Sequence, residues 1–168
     1  MSLSVHQMTV DLFVPMLTNL EGILTKAETH ATERKLEAGV LENLRLTPDM
    51  FALSRQVQLT SDFAKNSVAR LAGIEPPKMP DEEQTLAELR QRVRATADWL
   101  RSVTPEQLEG ATERQIVVPL RTRTLSMQGL PFIQRWVIPN FYFHLTTTYA
   151  LLREAGVSLG KQDFLGGV

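Results

Sequence analysis

The 168-residue chain is 43% hydrophobic and 22% charged with a formal net charge of -1, so no excess of either sign points to nucleic acid or an anionic membrane surface. It contains no cysteine, which removes disulfides, thiolate metal sites and cysteine nucleophiles. The length suits one domain over residues 1–168, no apolar run reaches the roughly 20 residues that span a bilayer, and the start lacks the basic flank and apolar block of a signal peptide; a cytoplasmic protein is expected.

Four helical patterns follow one another. The first has an N-cap at Ser4 and carries Val5, Met8, Leu12, Met16, Leu20, Ile23 and Ala27 at helical spacing, with a kink expected at Pro15. The second is expected from about Pro48 to Leu71, with Thr47 as N-cap, Pro48 in the first turn, and Met50, Leu53, Val57, Ser61, Ala64, Val68 and Leu71 in near-heptad register. Gly73 stands where a C-terminal glycine belongs. The third is announced by Asp81 and its acidic neighbours and runs through Leu86, Leu89, Val93, Ala97, Leu100 and Val103.

Between the second and third patterns, Ile74-Glu-Pro-Pro-Lys-Met-Pro80 should be stiff and extended, with a reach of about 25 Å. A helix of about 22 residues is about 33 Å long, so the linker plus a frayed turn can carry the chain back and leave these two helices parallel. An antiparallel turn would not need such a linker.

After the third helix, Thr104-Pro105-Glu106-Gln107 has capping-box spacing and predicts a short helical turn ending near Gly110. Gln115–Leu120 and Arg123–Met127 are rich in β-branched residues and predict a small hairpin, with Pro119 at an edge position. Arg114, Arg121 and Arg123 read as a solvated strand face in preference to an anion patch.

The fourth pattern runs from Pro139 to Gly156. Phe141, Leu145, Thr148, Leu152 and Ala155 form its apolar arc, with Asn140, His144 and Leu151 on the near side. His144 therefore points inward, where a polar group, a metal or a water should meet its ring. Trp136, Phe143 and Tyr149 lie off the arc, and the aromatic surface they leave predicts a homodimer.

Phe141-Tyr-Phe-His144-Leu-Thr-Thr-Thr148-Tyr-Ala-Leu-Leu-Arg153, Pro48-Asp-Met-Phe51, Arg55-Gln-Val-Gln58, Asp62-Phe-Ala-Lys65, Ala69-Arg-Leu-Ala-Gly73 and the tail Gly160-Lys-Gln-Asp-Phe-Leu165 resemble an uncharacterised bacterial family within the DinB/YfiT-like superfamily, over nearly the whole chain. The resemblance implies an all-α four-helix bundle of up-down-down-up topology, here with a small hairpin or irregular insertion before the last helix. Many members hold a divalent metal with three histidines, one on the second helix and two in an H-x-x-x-H pair on the last.

Judged by its distance from Leu152-Arg153, His144 takes the second position of that pair and Asn140 the first; Gln58, or as the lesser choice Gln56, stands where the remaining histidine would be. Amide oxygens are poor zinc or nickel ligands beside imidazole, so no resident cofactor is expected and His144 is the one matching ligand. His6 and His30 are 24 residues apart on the expected first helix, about 36 Å, too far to share an ion. His6 is expected at a boundary and His30 in solvent.

Asp62 follows Gln58 by a helical turn, with Lys65 a turn further. This row either borders the core or walls a pocket facing His144, where a carboxylate could orient the imidazole or raise its pKa. The pocket candidates are thus Gln58, Asp62, Asn140, His144 and Thr148, although Thr146, Thr147 and Thr148 are expected to bond to backbone carbonyls a turn earlier. The preferred function is small-molecule binding or an accessory role, without the full metal site. The alternative implied by the superfamily is a metal-assisted enzyme or a transferase using low-molecular-weight thiols, with His144 as ligand or general base. No G-x-S-x-G elbow supports nucleophilic hydrolysis.

Overall fold

The computed structural model describes residues 3–167. Helix α1 (Val5–Met8) opens with a complete capping box: Ser4 Oγ accepts from the Gln7 N–H at 3.1 Å and Gln7 Oε1 accepts from the Ser4 N–H at 2.9 Å. The chain breaks at Thr9 and continues as α2 (Val10–Arg34). Pro15 lies within α2, so the interruption of the first helical pattern falls at Thr9 and not at the proline.

Helix α3 (Leu53–Ala72) starts later than its sequence pattern suggests, because Thr47 and Pro48 belong to a turn closed by the Met50 N–H on Thr47 O. The first N–H groups of α3 find backbone acceptors instead: Leu53 donates to Leu44 O at 2.8 Å and Ser54 to Glu42 O at 3.0 Å. Gly73 closes the helix in the left-handed region, at φ 70°. Helix α4 (Leu86–Arg101) begins not at Asp81 but at a capping box made by Thr85 and Glu88. Residues 81–84 stay outside the helix, which leaves Asp81 and Glu83 free to pair elsewhere.

A 3-10 turn (Glu106–Leu108) precedes the expected hairpin, in which β1 (Gln115–Pro119) pairs antiparallel with β2 (Thr124–Gln128). Ile116 and Val118 of β1 point inward, and the pair makes the fold mostly helical instead of strictly all-α. Helix then resumes earlier than expected, as α5 (Gly129–Phe132), a π turn (Ile133–Val137) and α6 (Ile138–Glu154) in one continuous run. Pro139 supplies no N–H to the turn before it, and that turn is the widened one. Gly129 is required for contact: a Cβ there would lie 1.8 Å from Ala111 O. A short α7 (Lys161–Leu165) finishes the described chain.

Cross-contacts give the helix directions. Glu28 pairs with Arg90 at 2.8 Å and His6 meets Val103 O at 3.2 Å, so α4 runs antiparallel to α2. Gln56 meets His144 and Phe63 meets Trp136, so α6 runs antiparallel to α3. Glu42 joins the starts of α3 and α4, its backbone carbonyl accepting from Ser54 and its carboxylate from the Leu86 N–H at 3.0 Å. Further along both helices Arg92 of α4 reaches Asp62 of α3 at 2.9 Å, so α3 and α4 lie parallel. The long helices α2, α3, α4 and α6 are therefore up, down, down and up. Phe13, Phe132, Phe141, Leu17, Leu20, Leu53 and Leu89 are fully buried between them, each worth about 1.5–3 kcal/mol of apolar burial.

Candidate functional site

His144 is 7% exposed at the interface of α3 and α6. Phe63 stacks on one face of its ring at 5.5 Å between centroids, and Phe143 meets it edge-on at 5.2 Å. The Gln56 amide fixes the ring's tautomer. Gln56 Nε2 donates to Phe51 O at 3.1 Å, so Oε1 is the atom that faces His144 Nδ1, 2.7 Å away, and Nδ1 carries the proton. Nε2 then bears the lone pair and makes no hydrogen bond within the described residues.

Burial, with a smaller repulsion from Arg55, pushes the His144 pKa down from 6.5 to about 4. The ring is therefore neutral at pH 7. Such a histidine offers a hydrogen-bond acceptor or a ligand nitrogen, but its weak basicity removes driving force from proton abstraction.

The other candidates divide between two places. Thr148 is buried one turn beyond His144 and donates to His144 O at 3.0 Å, as its helical position leads one to expect. Asn140, one turn before, donates to Trp136 O at 2.7 Å. Gln58 and Asp62 do not bond to His144. They belong to a separate ionic cluster between α3, α4 and the linker, because residues 56 and 58 are about 200° apart around a helix and only Gln56 faces α6.

Arg92 centres that cluster. Its guanidinium, 4% exposed, reaches Asp62 at 2.9 Å, Asp81 at 3.0 Å, Glu83 at 2.9 Å and Pro80 O at 3.1 Å. Burial opposes its charge, but the hydrogen bond to Glu83 and the surrounding carboxylates outweigh that and raise its pKa above the ordinary value. Gln58 donates to Glu83 at 2.9 Å and accepts from Arg55 at 3.2 Å. Lys65, buried beside Asp62 at 3.6 Å, has its pKa lowered because desolvation exceeds the pull of that carboxylate. Asp62 is thus committed to Arg92 and Lys65, and the His144 pKa moves down, not up.

Sequence reasoning ranked Gln56 second and missed Phe51, Phe63, Glu83 and Arg92 altogether. Their signal was present for Phe63 alone, which lies two turns beyond Gln56 on the same face of α3. His6 sits at a boundary, 3.1 Å from Asp11, and His30 is half-buried near Gly156.

Residues 5–165 match the family described as Domain of unknown function (DUF1993). The chain belongs to that family. This DUF1993 chain is also similar to the crystal structure of a DinB family member protein from Shewanella denitrificans, with 42% identity and a TM-score of 0.90 over 98% of this chain and 93% of that one. Together these place it among domains of unknown function within the DinB-like superfamily. No curated protein matches the sequence. Among the described residues no helix is long and apolar enough to cross a membrane.

The three-histidine metal site of the superfamily does not fit the donors this DUF1993 chain presents. Around His144 stand two amides, each engaged: Gln56 between Phe51 O and the imidazole, Asn140 on Trp136 O. Among the described residues no group of three or more His, Cys, Asp or Glu side chains is placed to hold a metal ion. Two amides and one imidazole form a weak set for zinc or nickel.

Proposed function

We propose that this DinB-like chain is a binding or accessory protein that takes a small organic ligand at His144 and has no resident transition metal. The observation that carries the reading is the locked tautomer. The Nδ1–H bond to Gln56 presents a neutral Nε2 lone pair beside aromatic rings, which suits a ligand with an N–H or O–H donor and a flat apolar part. On this reading the partner of Nε2 is a ligand donor or a water in place of a tightly held cation. The enzyme alternative finds less support, because an imidazole with a pKa of about 4 is a poor proton acceptor at neutral pH.

Elemental analysis of protein purified without an affinity tag or chelator should find no stoichiometric zinc or nickel; one equivalent of either overturns the proposal. The complementary test rebuilds the superfamily ligands at the positions beside His144. Gln56→His with Asn140→His should create zinc or nickel binding measurable by calorimetry, and failure of the double variant to bind either ion would mean that the site is misplaced.

A further inference from the structure

A concavity lies between α3 and the hairpin, with a volume of about 200 Å³; Phe63, which also stacks on the His144 ring, stands in its wall. Its walls are mainly apolar: Phe63 of α3, Val118 and Leu120 of the hairpin, and Phe132 and Trp136 of the following helical run. That volume is below the roughly 300–1,000 Å³ of pockets for drug-sized molecules, so it suits a short-chain or single-ring ligand.

The polar side of the groove has a definite sign. Asp62 lines it, but its carboxylate is held by Arg92 and Lys65. Arg70 also lines it and makes no ion pair with any described residue; its Nη1 donates to Asn66 O at 3.2 Å, which leaves the rest of its donor fork unassigned. Next to the groove, the Leu120 N–H bonds to Arg123 O at 2.8 Å and closes the hairpin tip, which exposes Arg121 and Arg123, likewise without ion pairs among the described residues. An apolar floor bordered by uncompensated guanidinium groups complements a molecule that is apolar at one end and anionic at the other.

We propose that this groove binds a small apolar carboxylate, with its tail against Phe63, Val118, Phe132 and Trp136 and its head on Arg70. The groove shares Phe63 with the His144 site but is not lined by His144, and its anion contact on Arg70 does not depend on the reading given for that histidine.

Trp136 supplies the readout. The chain has two tryptophans, so a Trp99→Phe background isolates its fluorescence. Titrated with hexanoate, that protein should show a saturable change in emission, with a Kd at least about tenfold lower than for hexan-1-ol and no binding of hexylamine in the same range. Arg70→Gln should bring hexanoate to the level of the alcohol, and Arg70→Lys should retain part of the preference. The acid-against-alcohol comparison in the Trp99→Phe protein stands even if an Arg70 variant folds poorly. No saturable response to hexanoate, equal affinities for acid and alcohol, or a preference that survives Arg70→Gln in a folded protein would each overturn the proposal.

Discussion

Protonating His144 would place a second cation near Arg55 in a site closed to most solvent, and the ring resists this until the pH falls to about 4. The unfolded chain, with the ordinary value of 6.5, takes the proton first as the pH drops. Stability from the neutral ring is therefore complete above 6.5 and is lost between 6.5 and about 4. Full linkage over that window would amount to roughly 3 kcal/mol, and solvent reaching the ring reduces the expected loss to about 2 kcal/mol. Urea unfolding at neutral pH and near pH 4 should show a loss about 2 kcal/mol larger in the wild type than in His144→Gln, because the carboxylates with lowered pKa values, Glu88, Glu106 and Asp163, weaken alike in both. The glutamine still offers an N–H to Gln56 Oε1, so at neutral pH the variant should stay within about 1 kcal/mol of the wild type. A drop of about 1–3 kcal/mol there would instead mark the imidazole as a bonding element of the core, with no separate ligand role.

At the level of elements, the linker between α3 and α4 is held by charge. It returns along α3 with Pro77 O accepting from Lys65 at 3.0 Å, Asp81 on Arg55 and Glu83 on Arg92 and Gln58, and Arg92 joins it to both helices. Removing the guanidinium would leave Asp62, Asp81 and Glu83 facing one another with too little positive charge. Arg92→Met should therefore cost about 3–5 kcal/mol in denaturant unfolding, the scale for breaking a buried ionic network on one side. A loss below about 1 kcal/mol would show that the proline-rich segment holds its path without these bonds.

The crossover was legible because the linker's composition dictates its stiffness. The helix starts were less so, since proline at 48 and acid at 81 serve a turn and an ion pair as readily as a first helical turn. Gln56 and Gln58 flank Val57 at about 100° on either side, and the apolar row alone does not say which flank meets α6. The run from Gly129 was hidden by Pro131 and Pro139; the first sits in the opening turn of α5, where no N–H is needed, and the second follows the π turn.

For the molecule as a whole, the aromatic surface first assigned to Trp136, Phe143 and Tyr149 is smaller than their positions on the helix suggest. Trp136 packs on Phe63 at 6.1 Å and Tyr149 on Phe164 of α7 at 5.6 Å, while Phe143 stays 54% exposed. Phe51, 55% exposed, is linked to the same region through its carbonyl bond to Gln56, the partner of His144. Two phenylalanines bury at most about 150–250 Å² each, short of the roughly 800 Å² per partner of a standard interface. A dimer through this face must therefore draw in neighbouring surface. We propose that two copies meet here about a twofold axis. Sedimentation equilibrium at micromolar concentration should give a dimer, and Phe51→Glu with Phe143→Glu should give a folded monomer, since four carboxylates would then face one another across the axis. A wild-type monomer at that concentration, or a double variant that still dimerises, would rule out this face as the interface.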